Sequence, residues 1–192
     1  MEGAGPIRRA FTLACHLNAG QRIMIVTDAC PYGIGGFIVI GGSPRYYFYD
    51  AISAFDQDIL GVRAGTPDGQ QRWECLAALV ALRLWKHIWE DERVQLHVRA
   101  DNVTTLTMLR NLRVKGKGLN TLAQEAALDV ATASYEPDVL EHTPGVHNST
   151  TDVLSRPFDP TQTYMFLGIL RDAIQVFPHS RDHGWYRWLA PP

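Results

Sequence analysis

An α/β domain with a mixed five-stranded sheet flanked by helices is the fold class that this sequence predicts. Two strand-like runs, Ile23–Ala29 and Val94–Ala100, each lead to an aspartate, Asp28 and Asp101. The longest helical pattern in the chain, Gln70–Trp89, lies between them. Strands joined through such a helix pair in parallel, so both aspartates fall at the same sheet edge. Three short runs, 23–29, 33–41 and 45–49, are separated only by glycine and proline turns, which predicts an antiparallel meander.

The bulk properties bound the rest. A chain of 192 residues is long enough for one domain with a real core, and 46% apolar, 20% charged and a net charge of −2 are ordinary for a globular protein. No apolar run approaches the ~20 residues of a membrane-spanning helix, so no membrane partner is expected. Arg8-Arg9 precedes an apolar run at 10–15, but His16 and Asn18 cut it short and no cleavage site follows, which argues against a signal peptide. Cys15, Cys30 and Cys75 lack metal-like spacing and read as reduced, mostly buried thiols of an intracellular protein, cytoplasmic or nuclear. Residues 1–20, with a weak helical pattern at Ile7, Phe11, Ala14 and Leu17, form a lead-in or a connection to an upstream domain.

Taken in order, Ile23-Met24-Ile25-Val26 is an apolar run suited to a strand buried on both faces. Alone, Asp28 at its end would read as an Asx turn. The Gly33-Ile34-Gly35-Gly36 run leads into a strand, whereas a dinucleotide fingerprint opens a helix. Residues 50–69, with Asp56, Asp58, Pro67 and Gly69, read as an irregular connection. In the long helix Trp73, Leu76, Ala77, Val80, Leu84 and Ile88 recur at helical spacing. Glu74 lies near its start, and the small Ala78 and Ala81 on its face leave room for something to approach the carboxylate. Residues 94–100 alternate apolar with polar, and a short helix follows Asp101-Asn102 through Val103, Leu106, Leu109 and Leu112.

A basic cluster, Arg110, Arg113, Lys115 and Lys117, occupies a glycine-containing loop, Lys115-Gly116-Lys117-Gly118. A helix at 119–134 is closed by Tyr135-Glu136-Pro137, and a short strand at 138–141 is the fifth. His142-Thr143-Pro144-Gly145 then reads as a flexible turn, and Ser149 or Thr150 as the cap of a short helix that Pro157 ends, with Asp152 in its first turn.

Four segments carry a family likeness: Thr27-Asp28-Ala29; Trp73-Glu74 with Ala77 to Leu82; Asp101-Asn102; and His142-Thr143-Pro144-Gly145 with Asn148 and Asp152-Val153-Leu154-Ser155-Arg156. Together they resemble the ribonuclease H domain of retroelement reverse transcriptases, over roughly residues 20–157, and the last resembles the H-x-P-G-x-x-N-x-x-A-D-x-L-S-R signature of LTR-type elements. The resemblance implies a ribonuclease H-like fold over 21–157, with Asp28, Glu74, Asp101 and Asp152 as metal-binding catalytic carboxylates and His142 as a mobile catalytic histidine. It implies an RNA/DNA hybrid substrate and a reverse transcriptase domain upstream in the same polyprotein. Thr151 stands where the signature has alanine, and no extended basic helix follows residue 113, which points to grip supplied from upstream.

The chemistry agrees. Four carboxylates in one cleft repel each other, and hard divalent cations are their natural counter-charge. Two Mg²⁺ ions, or Mn²⁺ in their place, can activate a water and stabilise the leaving oxygen of a phosphodiester. A free imidazole titrates near neutrality, so His142 could shuttle a proton or aid product departure. The expected nucleic-acid contacts are Cys30, Gly33 and Asn102 along the strand ends, Asn148 in the turn, and Arg110, Arg113, Lys115 and Lys117 beside the duplex.

Two rival readings exist. Asp28, Asp101 and Glu136 show an integrase-like D…D-(35)-E spacing (136 − 101 = 35), which leaves Glu74 and the His142–Asp152 block without a role. A non-catalytic connector within a polymerase has no need of all four carboxylates. In residues 158–192, a tail that matches nothing in the nuclease pattern, His179 and His183 lack the partners of a zinc site, and Trp185, Tyr186 and Trp188 read as packing residues rather than a base-stacking surface.

Overall fold

The computed structural model describes residues 22–89, 95–132, 136–142, 149–165 and 167–189, with the backbone alone for 22, 95, 132, 136–142 and 189. The strands are β1 (Arg22–Ala29), β2 (Gly33–Ile40), β3 (Ser43–Ala51), β4 (Gln95–Ala100), β5 (Glu136–His142) and a two-residue β6 (Ile174–Gln175). The helices are α1 (Ala54–Leu60), α2 (Gln70–Leu84), α3 (Val103–Asn111), α4 (Lys117–Thr132) and α5 (Ser149–Ser155). The sheet order is β5-β4-β1-β2-β3-β6, so β1 is interior as its apolar run requires. β1 pairs antiparallel with β2 and parallel with β4, and β4 pairs parallel with β5. The predicted five-stranded mixed sheet is present, and β6 adds to its β3 edge.

Successive strand residues point to opposite faces, and the two faces are covered differently. Ile23, Ile25, Ile34, Ile38 and Phe48 join Trp73, Leu76, Val80, Met108 and Leu122 in the larger core, beneath α2, α3 and α4. Tyr47, one residue from Phe48, points the other way and packs with Leu154 of α5 and Leu170. The glycines of β2 explain how α5 comes so close: a Cβ on Gly35 would lie 2.5 Å from the carbonyl carbon of Leu154.

Several expectations shift. Residues 54–60 form a helix within the stretch read as irregular, because Ser53 and Asp56 cap it reciprocally: Asp56 N–H donates to Ser53 Oγ at 3.0 Å and Ser53 N–H to Asp56 Oδ2 at 2.9 Å. The long helix ends at Leu84 and a 3₁₀ turn at Lys86–Ile88 follows, while Trp85 and Trp89 are fully buried. Lys117 and Gly118 belong to α4 rather than to a loop; Gly118 packs on the end of α1, where an added Cβ would meet Leu60 O at 2.3 Å. Ser149 is the first residue of α5, so it does not stand outside the helix as a cap. His142 ends β5, paired with Ala100, and the turn predicted at Thr143-Pro144-Gly145 lies outside the described residues.

The C-terminal segment wraps the β3 edge. Val176 N–H donates to Tyr47 O at 2.8 Å, Arg181 is buried between Asp50 and Asp56, and Tyr186 is fully buried. Trp185 is half-buried with the Arg83 guanidinium 4.3 Å from its ring, and only Trp188 of the three tail aromatics is exposed. His183 packs edge-on against Phe55, with ring centroids 4.7 Å apart. No helix among the described residues is long and apolar enough to cross a membrane.

Candidate active site

The parallel register builds the site. Val26 lies opposite Arg99, and two further residues bring Asp28 opposite Asp101, both at the carboxyl ends of β1 and β4. Glu74 reaches the same place from the second turn of α2, where its Oε1 accepts the Ala29 N–H at 3.3 Å. Ligand oxygens of Asp28, Glu74 and Asp101 all lie within 4.8 Å of one another. Asp28 is 4% and Glu74 2% exposed, and Asp101 is half-buried.

Such a cluster resists its own ionisation. Burial, then the charges of Asp101 and Asp152, push the Asp28 carboxyl up from 3.8 to about 7. Burial, then Asp28 and Asp101, hold Glu74 well above the usual 4.5. Among the described residues, the buried Glu74 Oε2 has no hydrogen-bond partner. Hard oxygens, clustered charge and an orphaned carboxylate oxygen fit a hard divalent cation. Ala78 and Ala81 do not leave the expected opening: both are fully buried in the core under α2.

Asp152, from α5, stands outside the 4.8 Å cluster although its charge reaches Asp28. Its Oδ1 accepts from Arg156 Nε at 2.8 Å and Nη2 at 2.5 Å, one helical turn on. Ser155 holds α5 to the cluster, its Oγ lying 3.2 Å from Asp28 Oδ2 and 3.0 Å from Asp152 O. The Cys30 thiol donates to Ser155 O at 3.0 Å, and burial raises its pKa, so this sulfur joins strand end to helix. Thr151, which stands in place of the signature's alanine, is fully buried.

The expected nucleic-acid contacts are spread more widely. The Cys30 N–H donates within its own turn to Gly33 O at 2.9 Å, and Gly33 is buried under Ser155. Asn102 caps α3, its Oδ1 accepting the Thr104 N–H at 2.8 Å. Arg110 is exposed beside a shallow hollow of about 360 Å³ lined by Val103, Leu106, Thr107 and Asn111, and Arg113, Lys115 and Lys117 are exposed. Of His142 only the backbone is described, and Asn148 lies outside the described residues.

The integrase-like alternative fails on register. Glu136 pairs with Gln95 at the start of β5, whereas His142 pairs with Ala100 at its end. Six residues at ~3.3 Å each put Glu136 roughly 20 Å away, at the opposite sheet edge from Asp28 and Asp101.

Three site residues had no role in the sequence reading: Gln70, whose Nε2 donates to Glu74 Oε1, Ser155 and Arg156. Gln70 lies one helical turn before Glu74, a spacing at which helix side chains meet. Ser155 and Arg156 were visible only as the end of a motif.

No protein-family model matches the chain, and no curated protein matches it in sequence. Among solved structures, the crystal structure of ribonuclease H1 from the halophilic archaeon Halobacterium salinarum NRC-1 is similar over 69% of this chain and 93% of that one, with a TM-score of 0.52 and 16% identity. At that identity the likeness speaks for architecture alone. The mixed sheet, its flanking helices and this neighbour together show that the chain has a ribonuclease H-like fold.

Proposed function

We propose that the chain is a metal-dependent ribonuclease H that hydrolyses the RNA strand of RNA/DNA hybrids, with two divalent ions, as part of the reverse transcriptase polyprotein of a retroelement. The observation that carries this reading is the meeting of Asp28, Glu74 and Asp101, from β1, α2 and the end of β4, within 4.8 Å. Mg²⁺, or Mn²⁺ in its place, would supply positive charge there to acidify a water and stabilise the leaving oxygen. Asp28, Glu74 and Asp101 would hold the ions, and Asp152 would add a fourth carboxylate from α5, where Arg156 competes for it. The water oxygen bonds to phosphorus as the bond to the 3′-oxygen breaks, leaving a 5′-phosphate and a 3′-hydroxyl. His142, whose backbone ends β5, would be the residue that carries a proton to the departing group. A polymerase domain upstream would supply grip beyond that of the four cations at 110–117, and the setting would be intracellular.

The decisive assay incubates the chain with labelled RNA/DNA hybrid, double-stranded DNA and double-stranded RNA, with and without Mg²⁺. Cleavage of the RNA strand of the hybrid alone, and only with metal, is expected. Asp28→Asn and Glu74→Gln each bring it to background, whereas Glu136→Gln leaves it intact. Loss of cleavage in Glu136→Gln with survival in Glu74→Gln would install the integrase-like site instead.

A further inference from the structure

We infer that Gln70 is a positioning residue for the acidic cluster: its side-chain amide fixes the plane of the Glu74 carboxylate and ties the start of α2 to the end of β1. The inference rests on reading that cluster as a metal site. Gln70 Nε2 donates to Glu74 Oε1 at 2.8 Å and to the main-chain oxygen of Ala29 at 2.5 Å. Both partners only accept, so the nitrogen of the amide, not its oxygen, must face them. Glu74 Oε1 also accepts the Ala29 N–H at 3.3 Å, so it is held from the helix and from the strand at once.

A carboxylate is planar. Two donors arriving at Oε1 from different elements set the rotation of the group, and with it the direction of Oε2, the buried oxygen that has no partner among the described residues. Oε1 is engaged by protein donors and Oε2 is left for a cation. Asp28 and Asp101 repel Glu74, so a free side chain there would swing away from the position that a cation needs. An ordinary surface pair at this helical spacing would not also grip a carbonyl 41 residues away. Gln70 acts through Glu74, as groups behind a ligand do at metal sites.

The test uses the full chain with Gln70→Leu, which removes the donor at similar size, and Gln70→Asn, which keeps an amide but is one methylene short of bridging both acceptors. Mn²⁺ binding is measured by calorimetry without nucleic acid, thermal unfolding is recorded without metal, and hybrid cleavage is titrated with Mg²⁺. Mn²⁺ affinity is expected to fall ~10–100-fold in both variants. Half-saturating Mg²⁺ should rise in step, by more than the rate at saturation falls. Metal affinities equal to wild type, with only a lower unfolding temperature, would overturn the role and leave Gln70 a structural tie. A wild-type chain that binds no Mn²⁺ would overturn the metal-site reading, and this inference with it. A wild-type chain that binds Mn²⁺ and cleaves hybrid while both variants match it removes the inference alone.

Discussion

Glu74 and Asp56 are both buried carboxylates, and they are answered in opposite ways. Asp56, fully buried, accepts from Arg181 Nε at 2.9 and 3.1 Å, from Tyr186 Oη at 2.7 Å, and from the Ser53 hydroxyl and amide. Glu125, also fully buried, is met by Arg83 at 2.6 Å and by the Trp188 N–H at 2.6 Å. In both cases the C-terminal segment contributes a partner: the Arg181 and Tyr186 side chains for Asp56, and the Trp188 N–H for Glu125, whose cation comes from α2. Glu74 faces two more carboxylates, and one of its oxygens has no hydrogen-bond partner among the described residues. Buried charge that is matched within the chain belongs to folding. Buried charge left unmatched at a sheet edge awaits a counter-charge from outside, which marks where function lies.

The largest effect expected from this contrast is at the matched site. Arg181→Met leaves Asp56 buried without its cation, and removing one partner of a buried pair typically costs about 3–5 kcal/mol. For a chain of this size that is a fall of roughly 6–20 °C in Tm. Thermal unfolding measures it, and a Tm within a degree of wild type would show the clasp to be ornamental.

The unmatched site should respond with the opposite sign. The folded-state pKa of Asp28 is raised from 3.8 to about 7, so between these values the folded protein holds a proton that the unfolded chain has released. Its contribution is therefore full at low pH and is lost as pH climbs through about 4 to 7; Glu74, raised for the same cause, adds in the same direction. Asp28→Asn or Glu74→Gln should stabilise the metal-free protein at pH 8 by up to a few kcal/mol, while abolishing cleavage. Saturating Mg²⁺ should reverse the order, because it binds the folded wild type. Unfolding of wild type and variants at pH 5 and pH 8, with and without Mg²⁺, decides this; variants less stable than wild type at pH 8 without metal would refute it.

The unmatched site was far more legible in the sequence than the matched one. Asp28 and Asp101 announce themselves because a strand end is a local signal and parallel pairing through a helix fixes their edge. Asp56 could not be read that way. Its partners Arg181 and Tyr186 lie 125 and 130 residues on, and its helix begins with a Ser-x-x-Asp cap inside a stretch without apolar periodicity. Gln70 was missed for a related reason: glutamine at a helix start is common, and its second acceptor, Ala29 O, is fixed only by the packing of α2 on β1. The span of β5 was misread because Pro137 stands inside a strand; β5 is the outermost strand on its side, where a missing N–H can face outward. Patterning shows what each element is, while matched charges depend on how distant elements meet.

The smallest effect belongs to exposed charges that meet no carboxylate among the described residues. Lys115 and Lys117 are exposed, at the end of the α3–α4 connection and the first turn of α4, and Arg110 and Arg113 precede them on the same side of Asp101 in the chain. Their counter-charge would be the phosphates of the hybrid. A lysine that neutralises a phosphate releases a condensed counterion, so each contact adds about 0.9 to the slope of log affinity against log salt on a B-form duplex. Replacing Lys115 and Lys117 with Ala should weaken hybrid binding at low salt and flatten that slope by up to about 2, with Tm unchanged because neither ammonium is buried. Binding by the metal-inactive Asp28→Asn protein, titrated with NaCl with and without the two lysine changes, isolates this effect from cleavage. An unaltered slope would remove these lysines from the interface and leave grip on the hybrid to surfaces beyond the α3–α4 connection.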